Sequence, residues 1–159
     1  LGHRRIAYLS GGRAYAVCLD RLRGYKAAMD AADITVHPQW IREGGFLFDP
    51  ASRETDALLA MEDRPTAIIA DNDEMAFATL HAIDRAGLQV PHDMSIISFE
   101  DTPGVRFSVP PLTAVRQPTS DIIGAAVERL IARANGDEVD GVLTLPHTLR
   151  IRGTTCAPK

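Results

Sequence analysis

Thr66-Ala-Ile-Ile-Ala70, running straight into Asp71-Asn72-Asp73, is the stretch that decides the fold. After Thr66 the run has no polar alternation, so both of its faces need cover. That is the pattern of a parallel strand held between helices. Polar residues then stop the run at once. Asp71-Asn72-Asp73 offers capping side chains to a helix over Glu74–Ala86, and Gly87 ends that helix.

The same alternation extends in both directions. Upstream, Ile6-Ala-Tyr-Leu9 reads as a buried strand stopped by Gly11-Gly12. Leu19–Ala32 carries Leu22, Tyr25, Ala28 and Met29 at helical spacing. Ile34–Ile41 alternates loosely and contains Pro38, which predicts a strand nearer an edge. Asp49-Pro50 predicts a cap followed by proline at the first position of a helix running through Leu58, Leu59 and Met61. Downstream, Ser95-Ile-Ile-Ser-Phe99 is another buried strand. The order β-α-β-α-β-α-β predicts an α/β fold with a doubly wound parallel sheet. Ligands of such sheets sit beyond the carboxyl ends of the strands. Here those ends are Gly11–Arg21, Gly44–Phe48, Asp71–Asp73 and Glu100–Thr102. The last third departs from the pattern. It reads as an extended Pro110–Val115, a helix over Thr119–Ala134, and short strands at Val142–Leu145 and Thr148–Ile151 around Pro146.

Composition narrows the function classes. The chain has 159 residues, net charge −4, and lysine only at Lys26 and Lys159. An acidic chain lacks the basic face that holds nucleic acid on its own. There is no apolar run of membrane-spanning length, and no signal-peptide pattern at Leu1–Leu9. Cys18 and Cys156 lie far apart and read as two reduced thiols. His3, His37, His81, His92 and His147 show no metal-ligand spacing and read as surface or structural. No cofactor or metal is expected. No G-x-S-x-G is present, so seryl hydrolysis has no support.

Several segments, in order, resemble the lactose-repressor (LacI/GalR) family of transcriptional regulators. They are Leu1-Gly-His-Arg-Arg-Ile-Ala7, Arg21-Leu-Arg-Gly-Tyr25, Arg64-Pro-Thr-Ala-Ile-Ile-Ala-Asp-Asn-Asp-Glu-Met-Ala76, and Gly87-Leu-Gln-Val-Pro91 with Asp93–Asp101. Pro110–Pro118 and Arg152-Gly-Thr-Thr155 complete the set. The resemblance implies a non-enzymatic, cytoplasmic small-molecule sensor of the type I periplasmic-binding-protein-like fold. Family members read operator DNA with an N-terminal helix-turn-helix, and bind an effector between two α/β lobes. On that pattern the chain begins where the second lobe begins, without the DNA-binding head. Residues 1–117 and 146–159 would form the flavodoxin-like second lobe. Residues 118–145 would lend a helix and a strand to the first.

Residue chemistry and the resemblance together nominate five ligand-binding residues. Arg21 offers a guanidinium fork for adjacent hydroxyls or a carboxylate. Phe46 and Phe48 follow Gly44-Gly45. A flat ring suits a sugar or a base, and the family places its aromatic at Phe46. One of Asn72 and Asp73 can cap the helix while the other faces ligand; Asp73 is the expected cap and Asn72 matches the family's effector contact. Glu100 stands where the family usually has aspartate, one methylene shorter. Asp101 is expected to brace its loop. Gln117 matches another ligand-side position, at a crossing between lobes. The expected effector is a sugar or related polyol, with a nucleobase as second choice.

A homodimer is the expected assembly. Its contacts would involve Phe77 on the helix after Asn72, with Val105 and Phe107 in the loop Val105–Ser108. In an isolated chain the Thr119–Ala134 helix would lack its lobe, so pairing or swapping with a second copy is expected. Two other classes share parts of this pattern. A secreted sugar-binding lobe of a transporter shares the fold, but fits the opening and closing segments less well. A Mg²⁺-dependent receiver or phosphatase could use Asp71, Asp73, Glu100 and Asp101, but it lacks a lysine at the end of a central strand.

Overall fold

The structure is a computed structural model that describes residues 1–139 and 141–159. Along the chain come β1 (Ile6–Ser10), α1 (Ala16–Ala31), β2 (Ile41–Glu43), α2 (Phe48–Leu59) and β3 (Ala67–Ala70). Then follow α3 (Asp73–Arg85), β4 (Ser95–Glu100), β5 (Thr113–Arg116), α4 (Thr119–Ala134) and β6 (Thr148–Arg150). Single 3-10 turns occupy Pro38–Trp40 and Pro103–Arg106. The strands form one six-stranded sheet in the order β2-β1-β3-β4-β5-β6. Strands β1 to β5 pair in parallel, and β6 runs antiparallel along β5. This is the expected α/β parallel architecture.

Alternation along the strands splits the core into two layers. Ala7 and Leu9 of β1, Ile68 and Ala70 of β3, and Ile96 of β4 pack with Leu58 of α2 and Met75 and Ile83 of α3. Tyr8, between Ala7 and Leu9, faces the other way and packs with Tyr25 and Met29 of α1, joined by Ile41 and Ile69. Burying both faces of β1 and β3 is what their unbroken apolar runs require.

Four boundaries differ from the sequence expectations. The strand expected over Ile34–Ile41 is confined to Ile41–Glu43, because Pro38 starts a 3-10 turn that carries Trp40 into the core. Helix α1 starts at Ala16, three residues before Leu19, and Ala28 lies on its exposed side. Helix α2 starts at Phe48 rather than after an Asp49 cap. Its first amide, Phe48 N–H, donates to Glu74 Oε1 at 3.0 Å, so α3 supplies the missing acceptor. Val142–Leu145 forms no strand. Its apolar residues read as a strand, yet among the described residues no neighbouring strand offers them a ladder.

Helix α4 stands apart from the packed layers. None of its residues is buried, and Ile123, Leu130 and Ile131 are mostly exposed.

Candidate ligand cleft

From β1 the chain passes to β2 on one side, then returns to β3 on the other. That reversal leaves a crevice at the carboxyl ends of β1 and β3, the usual ligand position in such sheets. Asp71, the first residue after β3, fills its floor and is fully buried. Its Oδ1 accepts from the Tyr8 hydroxyl, and its Oδ2 accepts from Gly11 N at 2.8 Å. Burial, then the Asp71 hydrogen bond, pushes the Tyr8 hydroxyl well above the usual phenol range. Burial and Asp71 also push the Cys18 thiol up to about 11. Both groups therefore stay protonated beside the carboxylate.

Arg21 is fixed from the same hub. Its Nη1 donates to the Asp71 carbonyl at 2.5 Å and lies 3.8 Å from Oδ1. The guanidinium carbon sits 4.4 Å above the ring centre of Phe99. Side-chain exposure is only 12%, so Arg21 presents one edge of its fork rather than the whole of it.

Phe46 lies across the crevice. Its ring rests on Gly11, where an added Cβ would fall 2.2 Å from Cζ. Tyr15 meets it edge-on, with centroids 5.2 Å apart. Phe46 has φ +62°, a left-handed conformation that a bulky residue adopts only when held there. Phe48 is exposed and leans on His81.

The capping role falls to Asn72 rather than to Asp73. Asn72 is the cap: its Oδ1 accepts from Met75 N at 2.9 Å, and its Nδ2 donates to the Phe46 carbonyl at 3.3 Å. Asp73 lies inside the first turn and accepts from Ser98 Oγ at 2.6 Å and Thr102 N at 2.7 Å. The cap must precede the helical φ/ψ region. Asn72 is extended at φ −149°, while Asp73 is already helical.

Glu100 ends β4 and Asp101 follows it, with positive φ of 101° and 62°. Burial, then the negative charge of Asp73, holds the Glu100 carboxyl above the usual range; the Asp73 backbone N–H and Arg21 pull the other way. Asp101 braces its loop through Arg152 at 2.5 Å. Beyond Glu100 opens a cavity of about 1030 Å³, which Gln117 also lines. Glu100 is where the Arg21 cluster and this cavity meet.

The nominated residues thus fall into two groups. Arg21, Phe46 and Asn72 surround Asp71, while Glu100 and Gln117 line the cavity beside them. The sequence reading missed Tyr8, Tyr15 and Phe99. Tyr8 and Phe99 were hidden inside strand patterns that read simply as core. Asp71, Asp73 and Asp101 each bond separate protein donors, and among the described residues no group of three metal-ligating side chains gathers.

Of the dimer candidates, Val105 is fully buried in the chain's own core and offers no area to a partner. Phe77 is half-buried, and Phe107 is 82% exposed.

A parallel sheet with a crevice at its reversal, lined by arginine, aromatic and amide groups, defines a ligand-binding α/β domain. The sequence matches the periplasmic binding protein-like domain family over residues 1–155, and the chain belongs to that family. Within it, the chain has the LacI/GalR type of effector-binding domain. It is 37% identical over 139 residues to the HTH-type transcriptional repressor PurR of Vibrio vulnificus, covering 87% of this chain and 42% of that protein. A LacI-family regulatory protein from Chloroflexus aggregans superposes with a TM-score of 0.91 at 36% identity, over 98% of this chain and 56% of that one. A lac repressor dimer bound to operator and the anti-inducer ONPF superposes with a TM-score of 0.91 at 32% identity, over 99% of this chain and 54% of that one. The chain spans under half the length of that curated repressor.

Proposed function

We propose that this chain is the effector-sensing part of a DNA-binding transcriptional repressor. The carrying observation is the convergence of Arg21, Phe46 and Glu100 on the carboxyl edge of the sheet, with Arg21 held by Asp71, Phe46 packed on Gly11 and Tyr15, and Glu100 beside Asp73. An aromatic face and charged hydrogen-bonding groups on a rigid frame suit a polyhydroxylated ring such as a sugar, with a nucleobase second. Similarity to repressors, rather than to enzymes, supports a sensing role.

In this reading the cleft closes between two lobes. Residues 1–117 and 146–159 are the second lobe. The exposed apolar residues of α4, within the 118–145 excursion, are covered by a first lobe. Effector binds one lobe orientation more tightly than the other, and that difference shifts the balance between them. Operator contact belongs to a helix-turn-helix outside this chain, and two copies pair through Phe77 and Phe107. No helix among the described residues is long and apolar enough to cross a membrane.

A thermal-shift screen of sugars, polyols and nucleosides on the full-length repressor tests this. A true effector at a hundred times its Kd stabilises by about 2.7 kcal/mol. That gain should vanish when Glu100→Ala and Arg21→Ala are combined. If a hit stabilises the double variant equally, its site lies elsewhere.

A further inference from the structure

Three arginines line the cavity beside Glu100: Arg106, Arg116 and Arg150. Every other arginine in the crevice has a partner. Arg21 is bound to Asp71, and Arg152 to Asp101 and the Leu112 carbonyl. Arg106, Arg116 and Arg150 have no ion pair or side-chain hydrogen bond among the described residues. Their placement follows from strand register. Arg116 lies opposite Thr148 and Ala114 opposite Arg150, so Arg116 and Arg150 are diagonal neighbours on one face of the sheet. Such neighbours are about 7–8 Å apart at Cα, within reach of a single small anion. Arg106 enters the same cavity from its 3-10 turn. All three are exposed, so solvent screens their mutual repulsion, and a small anion among them would meet three guanidinium forks at once.

A second observation points the same way. Pro118, Thr119 and Ser120, at the start of α4, line this cavity. Helix α4 is 16 residues long and has no side-chain N-cap. Thr119 N–H donates to the Gln117 carbonyl and Ile122 N–H to the Pro118 carbonyl, both at 2.9 Å, which leaves the Ser120 and Asp121 amides and the positive dipole end for an acceptor from outside the chain. The carboxyls do not cancel this field: Asp101 is taken by Arg152, which leaves Glu100 and Asp121 on the wall against three arginines.

We propose that Arg106, Arg116, Arg150 and the start of α4 form an anion subsite of the cleft, so that the effector carries a phosphate or carboxylate on a hydroxylated skeleton. The inference rests on the effector-sensing reading and narrows its ligand class. Arginine forks suit both anions, and the helix amides add donors aimed at the same oxygens.

The test follows the arginine Nε–Hε resonances by NMR while inorganic phosphate is titrated into the full-length protein at constant ionic strength. Saturable shifts at Arg116 and Arg150 are expected, with affinity at least tenfold weaker in Arg116→Ala/Arg150→Ala. Arg116→Lys/Arg150→Lys should keep the fold and the charge, and lose less. Glucose 6-phosphate, gluconate and glucose then separate the sources: a phosphate ester, a carboxylate and a neutral sugar. One of the two anions should bind at least tenfold more tightly than glucose. The inference is overturned if phosphate gives no saturable shift, if sodium chloride reproduces it, or if the double alanine variant binds as well. Neutral sugars binding while both anions fail would overturn this inference alone. Phosphate binding with no hydroxylated compound bound would instead count against the effector-sensing reading.

Discussion

Asp71→Ala should be among the most damaging single changes at the crevice, although the residue is too deeply buried to touch a ligand. Its carboxylate accepts from two buried donors, the Tyr8 hydroxyl and Gly11 N–H. Removing the acceptor strands both, and a buried donor without a partner costs about 1–3 kcal/mol. The long Arg21 contact at 3.8 Å adds less. Two such donors come to about 2–6 kcal/mol, and the middle of that span, about 3–5 kcal/mol, is the range expected when one side of a buried charged network is removed. For a chain of this size that is a fall of about 6–20 °C in Tm. Urea denaturation followed by circular dichroism measures the loss directly. A double-mutant cycle with Tyr8→Phe isolates the shared bond, because Asp71→Ala should cost at least about 1 kcal/mol less once the hydroxyl is gone. A cost below about 1 kcal/mol for Asp71→Ala, or no coupling in the cycle, would refute the hub.

Other consequences follow from neighbouring residues. The Glu100 carboxyl is held above its unfolded pKa, so the folded state keeps its proton over a window above the usual carboxylate range. Stability from this group is therefore lost as pH rises through that window, and Glu100→Gln should flatten the slope of unfolding free energy against pH there. An unchanged slope would mean that Glu100 is not the group titrating. Gly11→Ala places a methyl inside the Phe46 ring and should expel it from the crevice. Destabilisation of about 1–3 kcal/mol is expected, most of it recovered in Gly11→Ala/Phe46→Ala; no recovery would place the strain in the Gly11 backbone. Phe107→Asp should shift the protein from dimer to monomer in sedimentation, and an unchanged dimer would remove this patch from the interface.

How much of this was legible in the sequence depends on what each signal physically reports. β3 was readable because a strand covered on both faces has no polar positions, and few other structures give that pattern. Ile34–Ile41 misleads because a proline is tolerated at a strand edge, whereas Pro38 here starts a turn that moves the strand to Ile41–Glu43. Asn72 and Asp73 both carry capping chemistry, and which one caps depends on where the helical dihedrals begin, which composition does not report. Val105 and Phe107 are two apart in one loop, yet one is sealed in the core and the other is open to solvent. The carboxyl-edge segments were located correctly by topology alone. The arginine trio was not, since it depends on the β5–β6 register and on α4 returning to the same cavity.

The central claim is that this carboxyl edge receives the effector. The most direct measurement is chemical-shift mapping of the full-length protein with a stabilising ligand from the screen. Changes should concentrate at Arg21, Phe46, Glu100 and Gln117. Changes confined to the opposite end of the sheet, around Arg4, His37 and Trp40 where another cavity opens, would contradict it.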